Sequence, residues 1–148
     1  MNMKRNRIRR VAAMLITLVL AVWISSLWAA GMQRLTLTPG PDGGNAKGEA
    51  TIVDKDAATK EIIIAAQGLK PNATYTVWVV NTKPKMEMAG VGTGDYAFTS
   101  DAAGRGQFVG TFPAADLPKW QVLKIAHHPD GNPKNMKSIG VALKADLK

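Results

Sequence analysis

The stretch Thr74-Tyr-Thr-Val-Trp-Val-Val-Asn81 decides the fold of this 148-residue chain. Aromatic and β-branched residues fill its interior, and these residue types are the most enriched in β-strands. Its eight residues are a normal length for a strand and short for a helix. The stretch therefore predicts a central β-strand, and the segments on either side of it have the same character.

Six further stretches after residue 47 alternate between apolar and polar residues or run apolar without a break. They are residues 48–53, 61–67, 96–100, 107–112, 121–126 and 138–146. Residues 62–66, Ile-Ile-Ile-Ala-Ala, form an unbroken apolar run, which predicts a strand covered on both faces. About seven short strands in roughly 100 residues, separated by turn signals, predict an all-β fold. We expect an antiparallel immunoglobulin-like β-sandwich, with a small barrel as the alternative.

The N-terminal part of the chain has a composition of its own. Residues 1–10 hold five of the nineteen Lys and Arg residues, and eighteen of the twenty-two residues from 11 to 32 are apolar. As a helix, twenty-two residues span about 33 Å, enough for a hydrocarbon core of about 30 Å. Cleavage after the small residues Ala29 or Ala30 would place a bulky Leu or Trp where a signal peptidase needs a small side chain. We therefore expect an uncleaved transmembrane anchor, with a cleaved signal peptide as the alternative.

Composition divides the chain into four parts. They are a basic cytoplasmic stub (1–10), the anchor (11–32), a Pro- and Gly-rich linker (33–47) and an extracytoplasmic β-domain (48–148). The positive-inside rule predicts a single-pass protein of the cell (inner) membrane, in contact with the lipid bilayer through its anchor and exporting the β-domain, periplasmic in a bacterium. From residue 34 on, fourteen Lys and Arg against eleven Asp and Glu leave +3 of the total net charge of +8. This mild, scattered charge argues against nucleic-acid binding.

Several motifs follow one another between residues 67 and 133. They are Gln67-Gly-Leu-Lys-Pro71 before the strand 75–80, the turn Asp101-Ala-Ala-Gly-Arg-Gly106, and the strand 120–126 followed by His127-His-Pro-Asp-Gly-Asn-Pro133. This order resembles the extracytoplasmic domain of anti-sigma-K-type regulators, and the resemblance implies a β-sandwich outside the cytoplasm. Such regulators hold their sigma factor with a folded cytoplasmic domain before the membrane helix. Because ten residues are too few to fold as one, we expect the sandwich without the sigma-binding domain.

Methionines and histidines offer a metal-binding alternative. Met86 and Met88 lie on the same side of an extended segment, and Met136 follows the only two histidines, His127 and His128. Thioether and imidazole ligands suit Cu(I). Adjacent residues of a strand point to opposite faces, so both histidines share one ion only if the strand ends before them. Copper binding by these five residues is therefore the alternative function; otherwise we expect no cofactor.

Other residue combinations give little support for catalysis. The chain has no cysteine, and no serine of the β-domain stands in a Gly-x-Ser-x-Gly motif. The carboxylate pairs Asp54/Asp56 and Asp95/Asp101 lie in or beside predicted turns, where Asp is favoured because it bonds backbone N–H groups. The glycine-rich residues 90–94 do not open a helix, as a phosphate-binding loop would. We therefore expect no enzymatic activity.

The longest irregular segments are residues 82–95 and 127–137, and long loops on a rigid scaffold are frequent binding sites. We expect contacts there from the polar and charged residues Lys83, Lys85, Asp95, Asp130 and Asn132. The sequence thus predicts a membrane-anchored, non-enzymatic cell-envelope module for interaction or sensing. Its partner would be a protein or another component of the envelope.

Overall fold

The computed structural model describes residues 31–148, which form a curled antiparallel β-sheet. The strands are β1 (Met32–Pro39), β2 (Lys47–Asp54), β3 (Thr59–Gln67), β4 (Thr74–Asn81), β5 (Glu87–Gly90), β6 (Ala97–Thr99), β7 (Gly106–Pro113), β8 (Val122–His128) and β9 (Gly140–Asp146). Helical structure within the described residues is limited to a 3₁₀ turn at Leu117–Lys119. The predicted all-β fold is confirmed, and the seven predicted strands correspond to β2, β3, β4, β6, β7, β8 and β9.

The strand order is β5–β4–β8–β9–β1–β2–β3–β7, and β6 pairs with β4 on the same side as β5. The two ends of this order approach each other, because the N–H of Gly92, after β5, donates to the carbonyl oxygen of Thr111 in β7 at 2.9 Å. The sheet therefore curls round a single apolar core, to which both halves contribute. Tyr75, Ile62 and Leu123 are among the largest side chains fully enclosed there.

Strand β3 shows how alternation places the core on one side of the sheet. Ile62 and Ile64 are 0% and 1% exposed, whereas Ile63 between them is 38% exposed. Ile63 lies opposite Val109 of β7, which is 61% exposed. The prediction that this strand is covered on both faces is wrong, because nothing among residues 31–148 covers the outer face here.

Strand β4 is buried on both faces. Tyr75 and Val77 point into the core, while Thr76, on the outer face, is also 0% exposed. Part of the cover comes from Tyr96, whose ring centroid lies 5.3 Å from that of Trp78. The same ring lies over Gly90, where a Cβ would approach it to 2.2 Å. The central strand expected from the sequence is therefore enclosed from both sides over most of its length.

Part of the segment expected to be a linker, residues 33–47, belongs to the sheet, because β1 pairs with β9. In the turn after β1, a Cβ on Gly43 would lie 2.1 Å from the carbonyl oxygen of Ala142, so the turn approaches β9 as closely as only glycine allows. The N–H of Asp42 donates to the carbonyl oxygen of Val141 at 2.9 Å. The Pro- and Gly-rich composition thus serves a tight turn that fixes Asp42 against β9.

Strands β5 and β6 pair with β4 on either side of Val77. The carbonyl oxygen of Val77 accepts from the N–H of Val91 at 3.0 Å, and its N–H donates to the carbonyl oxygen of Tyr96 at 2.9 Å. Residues 92–95 therefore leave the sheet opposite Val77 and rejoin it. The segment 82–95, expected to be irregular throughout, contains the four-residue strand β5 in its middle.

The predicted stub and anchor lie outside the described residues, apart from the last two positions of the anchor. Within residues 31–148, no helix is long and apolar enough to cross a membrane. The uncleaved anchor and the cleaved signal peptide both stay predictions.

Candidate functional site

The two histidines end strand β8, and the pairing of β8 with β4 determines their surroundings. His127 lies opposite Tyr75, and His128 lies opposite Thr74. Since neighbouring residues of a strand point to opposite faces, His127 faces the core and His128 faces the outer side of the sheet. Both are buried, at 5% and 1% exposure. Buried imidazoles need polar or aromatic partners, and each face supplies different ones.

On the core side, His127 packs against Tyr75 with a ring-centroid distance of 5.3 Å. Its Nδ1 lies 3.6 Å from Oδ2 of Asp42, which is too long for a hydrogen bond and becomes an ion pair only when the ring is protonated. Burial lowers the pKa of His127, and the charge of Lys70 lowers it further, while Asp42 acts in the opposite direction. His127 is therefore neutral near pH 7. If the ring becomes protonated, the carboxylate of Asp42 is close enough to form an ion pair with it.

On the outer side, His128 ends a partly buried hydrogen-bond chain that we call the Trp–Thr–His chain. Nε1 of Trp78 donates to Oγ1 of Thr76 at 2.7 Å, and this oxygen lies 2.7 Å from Nε2 of His128. A tryptophan N–H only donates, so the hydroxyl accepts from it and keeps its own hydrogen for the imidazole. In the neutral ring this places the hydrogen of His128 on Nδ1. The other neutral tautomer would leave the buried hydroxyl hydrogen of Thr76 without an acceptor among the described residues.

The turn before β4 is fixed by a buried serine. Oγ of Ser100 donates to the carbonyl oxygen of Lys70 at 2.6 Å and accepts from the N–H of Ala73 at 3.0 Å. The N–H of Lys70 donates to the hydroxyl of Tyr75 at 3.0 Å. The turn, residues 70–74, faces the end of β8 across an open cavity of 410 Å³. We call this space the histidine cavity; its other wall is formed by residues 127–129 and Gly131.

Two loops meet beside this end of the sheet. A carboxylate oxygen of Asp95 lies 4.0 Å from Nζ of Lys134, so the loop between β5 and β6 adjoins the loop between β8 and β9. Within the second loop, Asp130 accepts from the side chain of Asn135 at 2.6 Å and from the N–H of Asn132 at 3.1 Å. These two hydrogen bonds lower the pKa of Asp130. The structure thus places Asp95, Asp130 and Asn132 in neighbouring loops, as one surface.

The other two expected contact residues, Lys83 and Lys85, follow the opposite end of β4. There the side chain of Gln121 accepts from the N–H of Thr82 at 2.9 Å and donates to the carbonyl oxygen of Lys83 at 3.0 Å. Both lysines are exposed. The structure therefore separates the five residues into a group of three near the histidines and a pair at the far end of β4.

The residues of the copper alternative are also divided between these two ends. Met88 pairs with Val80 and His128 with Thr74, so the two lie six positions apart along β4, about 20 Å along the strand. Met86 directly precedes β5, beyond the end of that strand that lies far from the histidines, and it is 71% exposed. Met136, in the loop after β8, lies at the histidine end of the sheet. The five residues therefore do not form one ligand shell in this structure.

The candidate carboxylate pairs are used in turns. Asp56 accepts from the N–H of Ala58 at 2.9 Å, and Asp54 beside it forms an ion pair with a lysine of β3. Asp101 accepts from the N–H of Arg105 at 2.8 Å and pairs with its side chain at 3.0 Å. Hydrogen bonds to backbone N–H groups are the leading reason why the pKa values of Asp56 and Asp101 are lowered. These carboxylates stabilise the turns in which they lie.

Three residues of the histidine end were not predicted from the sequence. Thr76 and Trp78 fall in the expected central strand, but the sequence analysis assigned no site role to either. Their spacing does contain a signal, because alternate residues of β4 share a face and His128 of the paired strand falls on that same face. Asp42 gave no such signal, since its approach to His127 depends on the turn after β1 and on the pairing of β1 with β9.

Two further observations concern metal binding by the described residues and the similarity of the chain to known proteins. No three His, Cys, Asp or Glu side chains within residues 31–148 lie close enough together to hold a metal ion. No protein-family model matches the chain, and no curated protein sequence matches it. The function therefore has to be argued from the geometry of the site itself.

Proposed function

We propose that this chain is a membrane-anchored, non-enzymatic module of the cell envelope that binds another envelope component. Its binding surface is formed by the loop of residues 91–96 and the loop of residues 129–139, above the outer face of β4 and β8. The domain that carries these loops is, in this proposal, an immunoglobulin-like β-sandwich outside the cytoplasm. The resemblance to the extracytoplasmic domain of anti-sigma-K-type regulators and the basic, apolar N-terminal sequence support this arrangement.

The observation that carries the proposal is the contact between the two loops. Asp95 and Lys134 lie 4.0 Å apart, so the two loops are neighbours, while Asp130 and its two asparagine partners give the second loop internal hydrogen bonds. Loops fixed on a rigid sheet keep their shape when unbound, which lowers the entropic cost of binding. An exposed pair of neighbouring loops suits recognition, whereas Asp56 and Asp101, one member of each carboxylate pair considered for catalysis, are engaged in turns.

Site-specific photo-crosslinking in the producing cells tests this surface. A photoreactive residue at Thr93 or at Lys137 lies in the two loops at exposed positions without disturbing the Asp95–Lys134 pair. Glu49, exposed on β2 in the other half of the sheet, is the matched control position. We expect a discrete crosslinked product from both loop positions and none from Glu49. No product from the loops, or equal products from all three positions, would overturn the proposal.

The proposed topology is open to a direct chemical test, because the chain contains no cysteine. A single cysteine at Lys137 should react with a membrane-impermeant maleimide in intact cells, or in cells whose outer membrane alone has been opened. A single cysteine at Asn2 should react only after the cell membrane has been broken. Reaction of both, or of neither, in unbroken cells would contradict the proposed orientation.

A further inference from the structure

Four residues that were expected to contact a partner or copper lie together at the end of β4 far from the histidines. Lys83, Lys85, Met86 and Met88 fall within residues 82–88, which we call the Lys–Met segment. Every residue of the segment is exposed, Met86 by 71% and Met88 by 45%. Single exposed apolar side chains are ordinary on a protein surface, but here two methionines and two lysines share one short segment. The segment therefore combines cationic and apolar groups on one exposed surface.

Both ends of the Lys–Met segment are tied to the rest of the domain. At one end, the side chain of Gln121 accepts from the N–H of Thr82 at 2.9 Å and donates to the carbonyl oxygen of Lys83 at 3.0 Å. At the other end, Met88 pairs with Val80 of β4. The exposed side chains between these points are thus presented by a backbone of defined position, so that an extended partner surface can meet them together.

The charges left over at this end of the sheet are mostly cationic. The carboxylates of Asp54 and Asp116 form ion pairs with lysines. Asp56 accepts from a backbone N–H of its own turn and follows Lys55 in the chain. The other exposed charged side chains at this end lie in none of the ion pairs formed within residues 31–148. They are the cations Arg34, Lys83, Lys85 and Lys148 and the carboxylates Glu87 and Asp146.

The Lys–Met segment lies at the end of the sheet where β1 begins. Gln33 of β1 lines an open cavity of 280 Å³ together with Leu147, and the N–H of Leu147 donates to the carbonyl oxygen of Gln121 at 2.8 Å. Gln121 is also the residue that holds Thr82 and Lys83. In the proposed topology the anchor ends at residue 32, where β1 starts, and one residue spans at most about 3.6 Å. The proposed anchor therefore keeps this end of the sheet close to the bilayer.

We infer that the Lys–Met segment docks on the surface of a bilayer that contains anionic lipids. The ammonium groups of Lys83 and Lys85 pair with lipid phosphates, and the side chain of Met86 enters the interfacial region. Lysine suits this position because its apolar stem lies along the interface while its charge stays in water. Each lysine close to an anionic bilayer also adds electrostatic attraction.

The inference rests on the proposed function, since the anchor brings the bilayer to this end of the sheet. A short tether gives the bilayer a high effective concentration, so a contact too weak to hold a soluble partner is sufficient. Docking adds a second membrane contact to the anchor. It would direct the histidine end, with the loop of residues 129–139, away from the bilayer.

The test uses the full chain reconstituted in vesicles, with an environment-sensitive fluorophore on a single cysteine, because the natural chain contains no cysteine. Met86→Cys places the fluorophore in the segment, and Lys137→Cys places it in the loop at the histidine end as the control. The vesicles contain phosphatidylcholine alone or phosphatidylcholine mixed with phosphatidylglycerol. We expect the emission at position 86 to rise with phosphatidylglycerol and to fall again at high salt, which screens the lysines, while position 137 stays unchanged.

Variants of the lysines separate docking from mere proximity to the anchor. Lys83→Gln together with Lys85→Gln should lower the ratio of docked to undocked protein at least about tenfold, because two charges are removed from the bilayer surface. Lys70→Gln together with Lys137→Gln is the matched control, since it removes two exposed lysines from the histidine end. Equal emission at position 86 with and without phosphatidylglycerol, or in both double variants, would overturn the inference.

Extraction of the vesicles with alkaline carbonate tests the anchor separately, because it removes proteins held by charge alone. We expect the natural chain and the Lys83→Gln, Lys85→Gln variant to stay with the vesicles. A chain released from both vesicle types would contradict the proposed anchor and the docking with it. A retained chain whose emission at position 86 ignores phosphatidylglycerol would overturn the docking alone. A response that requires added envelope protein instead of anionic lipid would assign the segment to a protein partner and also overturn the inference.

Discussion

Strands β3 and β4 have similar apolar sequences and different surroundings. In β3 the run Ile62-Ile63-Ile64 is buried on one face and exposed on the other. In β4 the outer face is buried as well, and it carries a threonine, a tryptophan and, from β8, a histidine joined by hydrogen bonds. The comparison shows that an apolar run reveals a strand but not how many of its faces are covered. Here the loops proposed to bind a partner lie above the covered outer face.

The largest expected effect is the difference in unfolding free energy between substitutions on the two faces of β3. Ile62→Ala should lower the free energy of unfolding by about 2–5 kcal/mol, because Ile62 is fully buried. Ile63→Ala removes the same atoms from an exposed position and should cost less than about 1 kcal/mol. Urea denaturation of the two variants measures the difference. Equal losses would mean that β3 is covered on both faces, as its sequence suggests, and the comparison would fail.

A second prediction concerns the cover over β4. Gly90→Ala would bring a Cβ to 2.2 Å from the ring of Tyr96, so the ring must move, and we expect a loss of about 1–3 kcal/mol. Tyr96 has a φ of +57°, which glycine adopts readily, so Tyr96→Gly removes the ring without straining the backbone. In the double variant the cost of Gly90→Ala should largely disappear. Additive losses in this double-mutant cycle would show that Tyr96 does not cover Gly90.

A third prediction tests the polar part of the same face. Thr76→Val keeps the shape of the side chain but leaves Nε1 of Trp78 and Nε2 of His128 without their partner. We expect a loss of about 1–3 kcal/mol, measured by chemical denaturation. Thr51→Val on β2 is the matched control, since its hydroxyl makes only a long, exposed contact at 3.5 Å, and its effect should stay within about 0.5 kcal/mol. A stabilising Thr76→Val would mean that the chain contributes nothing to the folded state.

The smallest effect is a pH dependence of stability from the core side of the histidine pair. Burial lowers the pKa of His127 in the folded protein, so the unfolded chain binds a proton at a pH where the folded chain does not. The contribution is fully present above the ordinary histidine pKa of about 6.5 and is lost as the pH falls from there towards the folded-state pKa. The lowered pKa values of Asp56, Asp101 and Asp130 act in a separate, more acidic window.

Denaturation midpoints at about pH 7.5 and about pH 5.5 measure this contribution. His127→Phe keeps an aromatic ring against Tyr75 and should reduce the fall in stability between these values. Asp42→Asn removes the carboxylate that favours the protonated ring and should make the fall steeper. If both variants behave like the natural chain, His127 does not titrate differently in the folded and unfolded states.

The sequence was sufficient for seven of the nine strands, missing β1 and β5, and it was insufficient for what surrounds them. Aromatic and β-branched residues located β4, and alternation located β9, because strand propensity and side-chain period are both local properties. The exposure of Ile63 depends on whether another segment lies above it, and the position of Asp42 depends on a turn that packs on β9, a strand about 100 residues later. The prediction that adjacent histidines face opposite sides follows from the same local period, and the structure confirms it.

The candidate site was less predictable, for the same reason. The sequence indicated the loops that hold Asp95, Asp130 and Asn132, since Gly, Pro and Asn mark irregular segments wherever they occur. It did not indicate that these loops adjoin, nor that Lys83 and Lys85 lie at the far end of β4. Distance along the chain does not measure distance within the sheet. The sequence therefore allowed Met88 and His128 to be grouped as ligands of one ion, although they pair with opposite ends of β4.

The tautomer of His128 tests the central claim, that the outer face of β4 and β8 is fixed by the Trp–Thr–His chain. A long-range ¹H–¹⁵N correlation spectrum of the histidine-labelled chain near pH 7.5 measures it. We expect a protonated, pyrrole-type Nδ1 and an unprotonated, pyridine-type Nε2 for His128, with Thr76→Val abolishing this preference. A hydrogen on Nε2, or fast exchange between the two tautomers in the natural chain, would contradict the account.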